Sequence, residues 1–125
     1  MLKSSLLEML RTFSKQELIK FEDFVRSPYF NKKDNVISLF LELKKSAPLF
    51  SGDNLTKEKV WTAIFPGKEY NYGIMKNLIH DLTGLSERFI LLEYYAEDSY
   101  RCDYDLIEAA NHRNIQTFTS IKINQ

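Results

Sequence analysis

The stretch NYGIMKNLIHDLTGLSERFILLEYYA, Asn71 to Ala96, decides the fold. Met75, Leu78, Leu82, Leu85, Phe89 and Leu92 recur at alternating steps of three and four, the spacing of one helix face. At 1.5 Å per residue the stretch makes a rod of roughly 39 Å, about the width of a small domain. Asn71 is placed to cap its first turn. Up to Leu85 the apolar arc is one-sided, with Asn77, His80, Asp81 and Gly84 outward. From Phe89 to Tyr95 the run FILLEYY is apolar nearly all round, and Glu93 falls on the core stripe. The first half is therefore expected to pack on one side only, against the N-terminal helices. The second half is expected to be covered on both sides, or to bend near Glu93.

The segments before this spine read as shorter amphipathic helices. Leu2, Leu6, Leu7 and Leu10 predict a first helix over about residues 2–12. Ser14 and Glu17 form a capping box, and Phe13 and Leu18 hold the positions of a hydrophobic staple. The helix behind that cap turns Leu18, Phe21, Phe24 and Val25 inward and stops near Ser27, because Pro28 disfavours helical geometry before it. In the connector SPYFN, at least one of Tyr29 and Phe30 is expected to plug the space between two helices. Asn31 is expected to cap the next helix, whose apolar face is Val36, Ile37, Phe40, Leu41 and Leu43, closing at Ala47-Pro48. Residues 48–55 are rich in turn formers and read as a loop. Thr56 caps a short helix with Val60, Trp61, Ile64 and Phe65 on one side, ended by Pro66-Gly67.

Beyond Ala96, Asp98 or Ser99 starts a helix with Tyr100, Tyr104, Ile107 and Ala110 inward. A last helical pattern begins near Asn114 with Ile115, Phe118 and Ile121, and no capping signal ends it, which is the pattern expected of a longer parent protein. The expectation is an all-α, mostly antiparallel helical bundle of six to seven helices packed on the 71–96 spine and beginning a longer helical array. Residues 1–96 form the bundle domain and 97–125 the further helices.

Composition bounds the alternatives. Across 125 residues, 44% hydrophobic and 14% aromatic content is enough for a core, which argues against intrinsic disorder. Four glycines and three prolines favour long elements over a many-turned β fold. One cysteine, Cys102, rules out an internal disulfide and suits a reducing compartment. In MLKSSLLEMLRTF, Glu8 and Arg11 interrupt what a signal peptide would keep apolar, and no run is long enough to span a membrane. A cytoplasmic location is expected. Net charge is zero, yet residues 1–76 carry 13 Lys/Arg against 9 Asp/Glu, and residues 77–125 carry 4 against 8. Such asymmetry is ordinary for a solvated surface; it also suits an acidic partner or head-to-tail self-association.

The segments FSKQELIKFEDFVRSPYFNK and VWTAIFPGKEYNYGIMKNLIHDLTGLSERFI together resemble the start of a group of long bacterial proteins of unassigned activity, over about residues 6–95. SPYFN and FPGKEYN are the most distinctive elements. The resemblance implies an all-α fold within a longer parent and transfers no functional residue. LLEMLRTFSKQELIKFEDFV is more loosely similar to the first two helices of death-fold modules, whose compact six-helix plan has no counterpart to the long spine.

No catalytic constellation is legible. Cys102 and His112 would lie about 15 Å apart along one helix, out of contact. His80 has no ligand at helical spacing, and Pro66-Gly67-Lys68 lacks a phosphate-binding pattern. Asp103 and Asp105 point to different faces. The sequence therefore suggests no enzyme, cofactor, metal or small-molecule site.

Two surfaces remain as candidates. Residues 56–82 could form a helix-turn-helix with Asn71, Tyr72, Lys76 and Asn77 placed to touch DNA, although the long second helix and neutral charge disfavour a nucleic-acid partner. Tyr94, Tyr95, Tyr100 and Tyr104 cluster around a helix junction. Packing between the two helices is the favoured reading of the cluster, and a partner-binding surface is the other. The leading functional expectation is a non-catalytic scaffold or protein-interaction module of a larger cytoplasmic protein, engaging a protein partner or a second copy. The alternative is a DNA-binding regulator.

Overall fold

The computed structural model describes residues 4–115, which form six α-helices and no strand. They are α1 (Ser4–Arg11), α2 (Lys15–Arg26), α3 (Asp34–Lys44), α4 (Lys57–Ile64), α5 (Tyr72–Ala96) and α6 (Ser99–His112). The fold is an all-α bundle. The chain divides into two compact units, Met1–Phe89 and Ile90–Gln125.

In the first unit the core is built on phenylalanine. Phe21 of α2 has its ring centroid 5.2 Å from Phe13, 5.0 Å from Phe40 of α3 and 5.2 Å from Phe89 of α5. The first two pairs are edge-to-face and the third is tilted, and aromatic pairs add roughly 0.5–1.5 kcal/mol each beyond the area they bury. Around them lie Leu6, Leu7 and Leu10 of α1, Val25 of α2, Leu39 and Leu43 of α3, and Met75, Leu78 and Leu82 of α5. Leu39 joins this core although the expected face passed it over.

Local chemistry sets the helix ends. The capping box is complete: Glu17 N–H donates to Ser14 Oγ at 3.1 Å, and Ser14 N–H donates to Glu17 Oε1 at 2.9 Å. The staple residues Phe13 and Leu18 are both buried. Lys59 N–H donates to Thr56 Oγ1 at 3.2 Å, and Ile74 N–H donates to Asn71 Oδ1 at 3.1 Å, capping α4 and α5. After α4, the indole N–H of Trp61 donates to the Lys68 carbonyl at 3.1 Å, so the FPGKEY turn folds back over the helix that precedes it.

Asn31 does not cap α3, whose first helical residue is Asp34 and whose N-cap position is Lys33, without a side-chain hydrogen bond. The Asn31 amide instead donates to Val25 O (2.9 Å) and Lys33 O (3.2 Å), and its oxygen accepts from Lys33 N–H (3.1 Å). It lies two residues too early to cap, and its short amide reaches back to the open end of α2 instead. Of the two SPYFN aromatics, Phe30 stacks on Phe24 with centroids 4.4 Å apart, whereas Tyr29 is exposed.

The loop over 48–55 contributes to the core. Phe50 is fully buried at a positive φ of 47°, and Leu55 is buried as well. Turn-forming composition signalled the chain reversal but not the burial.

The spine α5 runs unbroken through Gly84. Met75, Leu78, Ile79, Leu82, Thr83, Leu85, Ser86 and Phe89 are buried, while Asn77, His80 and Gly84 are exposed, so the first half packs on one side. The hydroxyls of Thr83 and Ser86 donate to the carbonyls of Ile79 (2.7 Å) and Leu82 (2.9 Å), which lets two polar residues enter this face.

Of the two outcomes expected for the second half, cover on both sides is not found. Ile90, Leu91, Leu92 and Tyr94 are exposed rather than covered on both sides. Leu92 lies about 100° round from Met75 on a 3.6-residue turn, roughly 20° beyond Leu85, which puts it at the edge of the buried arc. In α6 only Ala110 is buried, with Ile107 half-buried and Tyr100 and Tyr104 exposed. Arg113 caps α6, Asn114 turns left-handed at φ 61°, and Ile115 N–H donates back to Ala110 O at 2.8 Å. These bonds are those of a Schellman motif. The helical pattern expected onward through Phe118 and Ile121 lies outside the described residues.

Candidate functional site

The end of α5 and the start of α6 are joined by a tight polar turn. Asp98 caps α6, its Oδ1 accepting from Arg101 N–H at 2.9 Å. The Tyr95 hydroxyl, on α5, donates to the Asp105 carboxylate and lies 3.4 Å from the Arg101 carbonyl oxygen. The Cys102 thiol donates to Tyr95 O at 3.2 Å. The hydrogen bond to Asp105 holds the Tyr95 phenol protonated and pushes its pKa up to about 12, with desolvation acting in the same direction. Tyr95 is thus a fixed strut between the two helices.

The other three tyrosines of the cluster are not packing residues. Tyr94, Tyr100 and Tyr104 are 74%, 89% and 63% exposed. The enclosed positions of α6 are Ala110, which is buried, and Cys102, Asp103 and Ile107, which are half-buried. Leu91, 64% exposed, joins the three tyrosines, and with Tyr94, Tyr95, Glu97, Asp105 and Arg101 it lines a groove of about 420 Å³. The sequence reading singled out the tyrosines but missed Leu91 and Asp105. The only available signal for Leu91 was the all-round apolar run FILLEYY, and a contact from Tyr95 to Asp105 across a turn follows no helical period.

The residues considered for DNA are divided in role. The Asn71 side chain is engaged in capping α5. The Lys57 ammonium sits 5.2 Å from the centroid of the Tyr72 ring, a cation–π contact. Lys76 and Asn77 are exposed on the first turns of α5.

Elsewhere two grooves of the first unit stand out. One, of about 370 Å³, lies where SPYFN meets α5; it is lined by Phe30, Lys32, Lys33, His80, Asp81 and Arg88, with Lys33 Nζ 2.7 Å from Asp81 Oδ2. The other, of about 520 Å³, is apolar and lies between the start of α2 and the turn after α3. Among the described residues no three His, Cys, Asp or Glu side chains gather as a metal site, and no helix is long and apolar enough to cross a membrane. The chain matches no protein-family model, no curated protein and no solved structure.

Proposed function

We propose that this chain is a non-catalytic helical module that binds protein through the exposed end of α5 and the tyrosine-bearing side of α6, as part of a larger cytoplasmic protein. The observation that carries the reading is the exposure of Leu91, Tyr94, Tyr100 and Tyr104 beside one another in sequence on two joined helices. Exposed tyrosines in such concentration are more typical of interface cores than of ordinary surface, because the ring offers a large contact area at low entropic cost. The strut from Tyr95 to Asp105 favours this use by holding the two helices together before any partner arrives.

The test is photo-crosslinking in the native cell. A photoreactive phenylalanine analogue replaces Tyr100 or, as a control of equal exposure on the first unit, Tyr29. A discrete protein adduct from position 100 and none from position 29 is the expected result. Absence of any protein adduct from positions 94, 100 and 104 would overturn the reading.

A further inference from the structure

The apolar groove of the first unit has the chemistry to receive the exposed end of α5. It is lined by the buried staple pair Phe13 and Leu18 with Ile19 and Pro48, and its two lysines are Lys15 and Lys44, the latter with its ammonium 2.8 Å from Glu22 Oε1. Ile19 is exposed there, and so is Leu49 beside Pro48. The end of α5 offers the complement: Leu91 and Tyr94 are exposed about one turn apart, and the Glu97 carboxylate follows three residues after Tyr94. Charge repeats this match at the scale of the whole units. Residues 1–89 carry 14 Lys/Arg against 11 Asp/Glu, and residues 90–125 carry 3 against 6, so the two units have net charges of +3 and −3.

We infer that a second copy of this chain is the occupant: Leu91 and Tyr94 of one copy seat in the lysine-rimmed groove of the next, with Glu97 facing Lys15. The inference rests on the proposed binding role of the α5–α6 surface and names its partner. Because groove and knob are different surfaces, the contact is heterologous: each pairing leaves one groove and one knob free, and assembly continues head to tail. The charged rim makes the contact salt-sensitive.

Sedimentation of the purified chain over a wide concentration range tests this. The wild-type protein is expected to associate beyond the dimer, with an association constant falling about tenfold or more between 50 and 500 mM salt as the charges are screened. Ile19→Glu blocks the groove and Leu91→Glu blocks the knob; each variant alone is expected to be monomeric. Mixed together they retain one good groove and one good knob, so they form a 1:1 heterodimer and stop there. Lys76→Gln, the same one-unit charge change made at an exposed position away from both groove and knob, keeps the association. Circular dichroism checks that each variant is folded, and Glu97→Lys replaces Leu91→Glu if that one is not.

A wild-type chain that stays monomeric overturns the inference. So does association that survives both blocking substitutions, or a mixture that fails to form the heterodimer. A monomeric chain that still crosslinks from position 100 to a different protein would overturn self-assembly alone and leave the interaction module standing. Failure of both experiments would remove the module as well.

Discussion

Arg11, the last residue of α1, grips the loop that places Phe50 in the core: its Nη2 donates to Phe50 O at 2.9 Å and its Nε to Leu49 O at 2.8 Å. A planar guanidinium can meet two successive carbonyls in this way, whereas an ammonium is a single point. Phe50 holds a positive φ that a non-glycine residue adopts only under constraint, and here its buried ring and the Arg11 fork supply the constraint. Phe50→Ala is expected to cost about 3–5 kcal/mol, the usual range for emptying a buried phenylalanine site. Arg11→Met, which keeps the aliphatic stem, is expected to cost about 1–2 kcal/mol through the lost hydrogen bonds. Urea unfolding followed by circular dichroism checks both, as a lower midpoint at unchanged slope.

Asn31 makes a second prediction. Its amide bonds to the backbone at Val25 and Lys33 close the SPYFN turn between α2 and α3. Asn31→Ala leaves those groups short of partners and is expected to destabilise by about 1–3 kcal/mol. Asn31→Asp keeps the acceptor for Lys33 N–H but loses both amide donors, so it should recover only part of that loss. Thermal midpoints of the two variants measured side by side decide the point, and equal midpoints for Ala and the wild type would sink it.

These two residues also mark where the sequence stops being legible. Signals that act within one turn of helix could be read directly: the Ser14–Glu17 box, the Thr56 and Asn71 caps, the stop at Pro28 and the one-sided arc from Met75 to Leu85 all have local causes. Phe50 is different, because its burial depends on Arg11, 39 residues earlier. Leu92 was assigned to the core by its three-four spacing, yet it falls roughly 20° beyond Leu85, at the edge of the buried arc. In α6 helical spacing put Tyr100, Tyr104, Ile107 and Ala110 on one inward face; Ala110 is buried and Ile107 half-buried, whereas Tyr100 and Tyr104, nearer the start of the helix, are exposed. The candidate surface was thus half legible: its tyrosines stood out by number, while spacing alone did not tell that the inward face covers only the later part of α6.

Gly84 gives a prediction of opposite sign. It lies inside α5 on the exposed side, and a Cβ built there meets nothing within 4 Å. Its backbone is helical, so alanine fits without strain and lowers the entropy of the unfolded chain. Gly84→Ala is expected to stabilise the protein by about 0.5–1 kcal/mol, seen as a raised urea midpoint. A destabilised variant would mean that some contact needs the missing side chain at this position.

Tyr95 supplies the last prediction through pH. Its phenol is held protonated by the hydrogen bond to Asp105, with a pKa of about 12 in the folded chain against an ordinary value of 10.0. A group whose proton is held more tightly when folded contributes stability that is fully present below its unfolded pKa. That contribution declines as pH rises from about 10 and is gone once the folded pKa of about 12 is passed. Tyrosinate absorbance during alkaline titration is expected to contain a late step near that value, absent from Tyr95→Phe. The variant should also be less stable than the wild type at neutral pH, with the gap closing over the same window. Breaking the acceptor instead, with Asp105→Ala, should bring the late step down towards the ordinary phenol range while leaving Tyr95 in place. A late step that persists unchanged in Asp105→Ala would mean that something other than this hydrogen bond holds the proton.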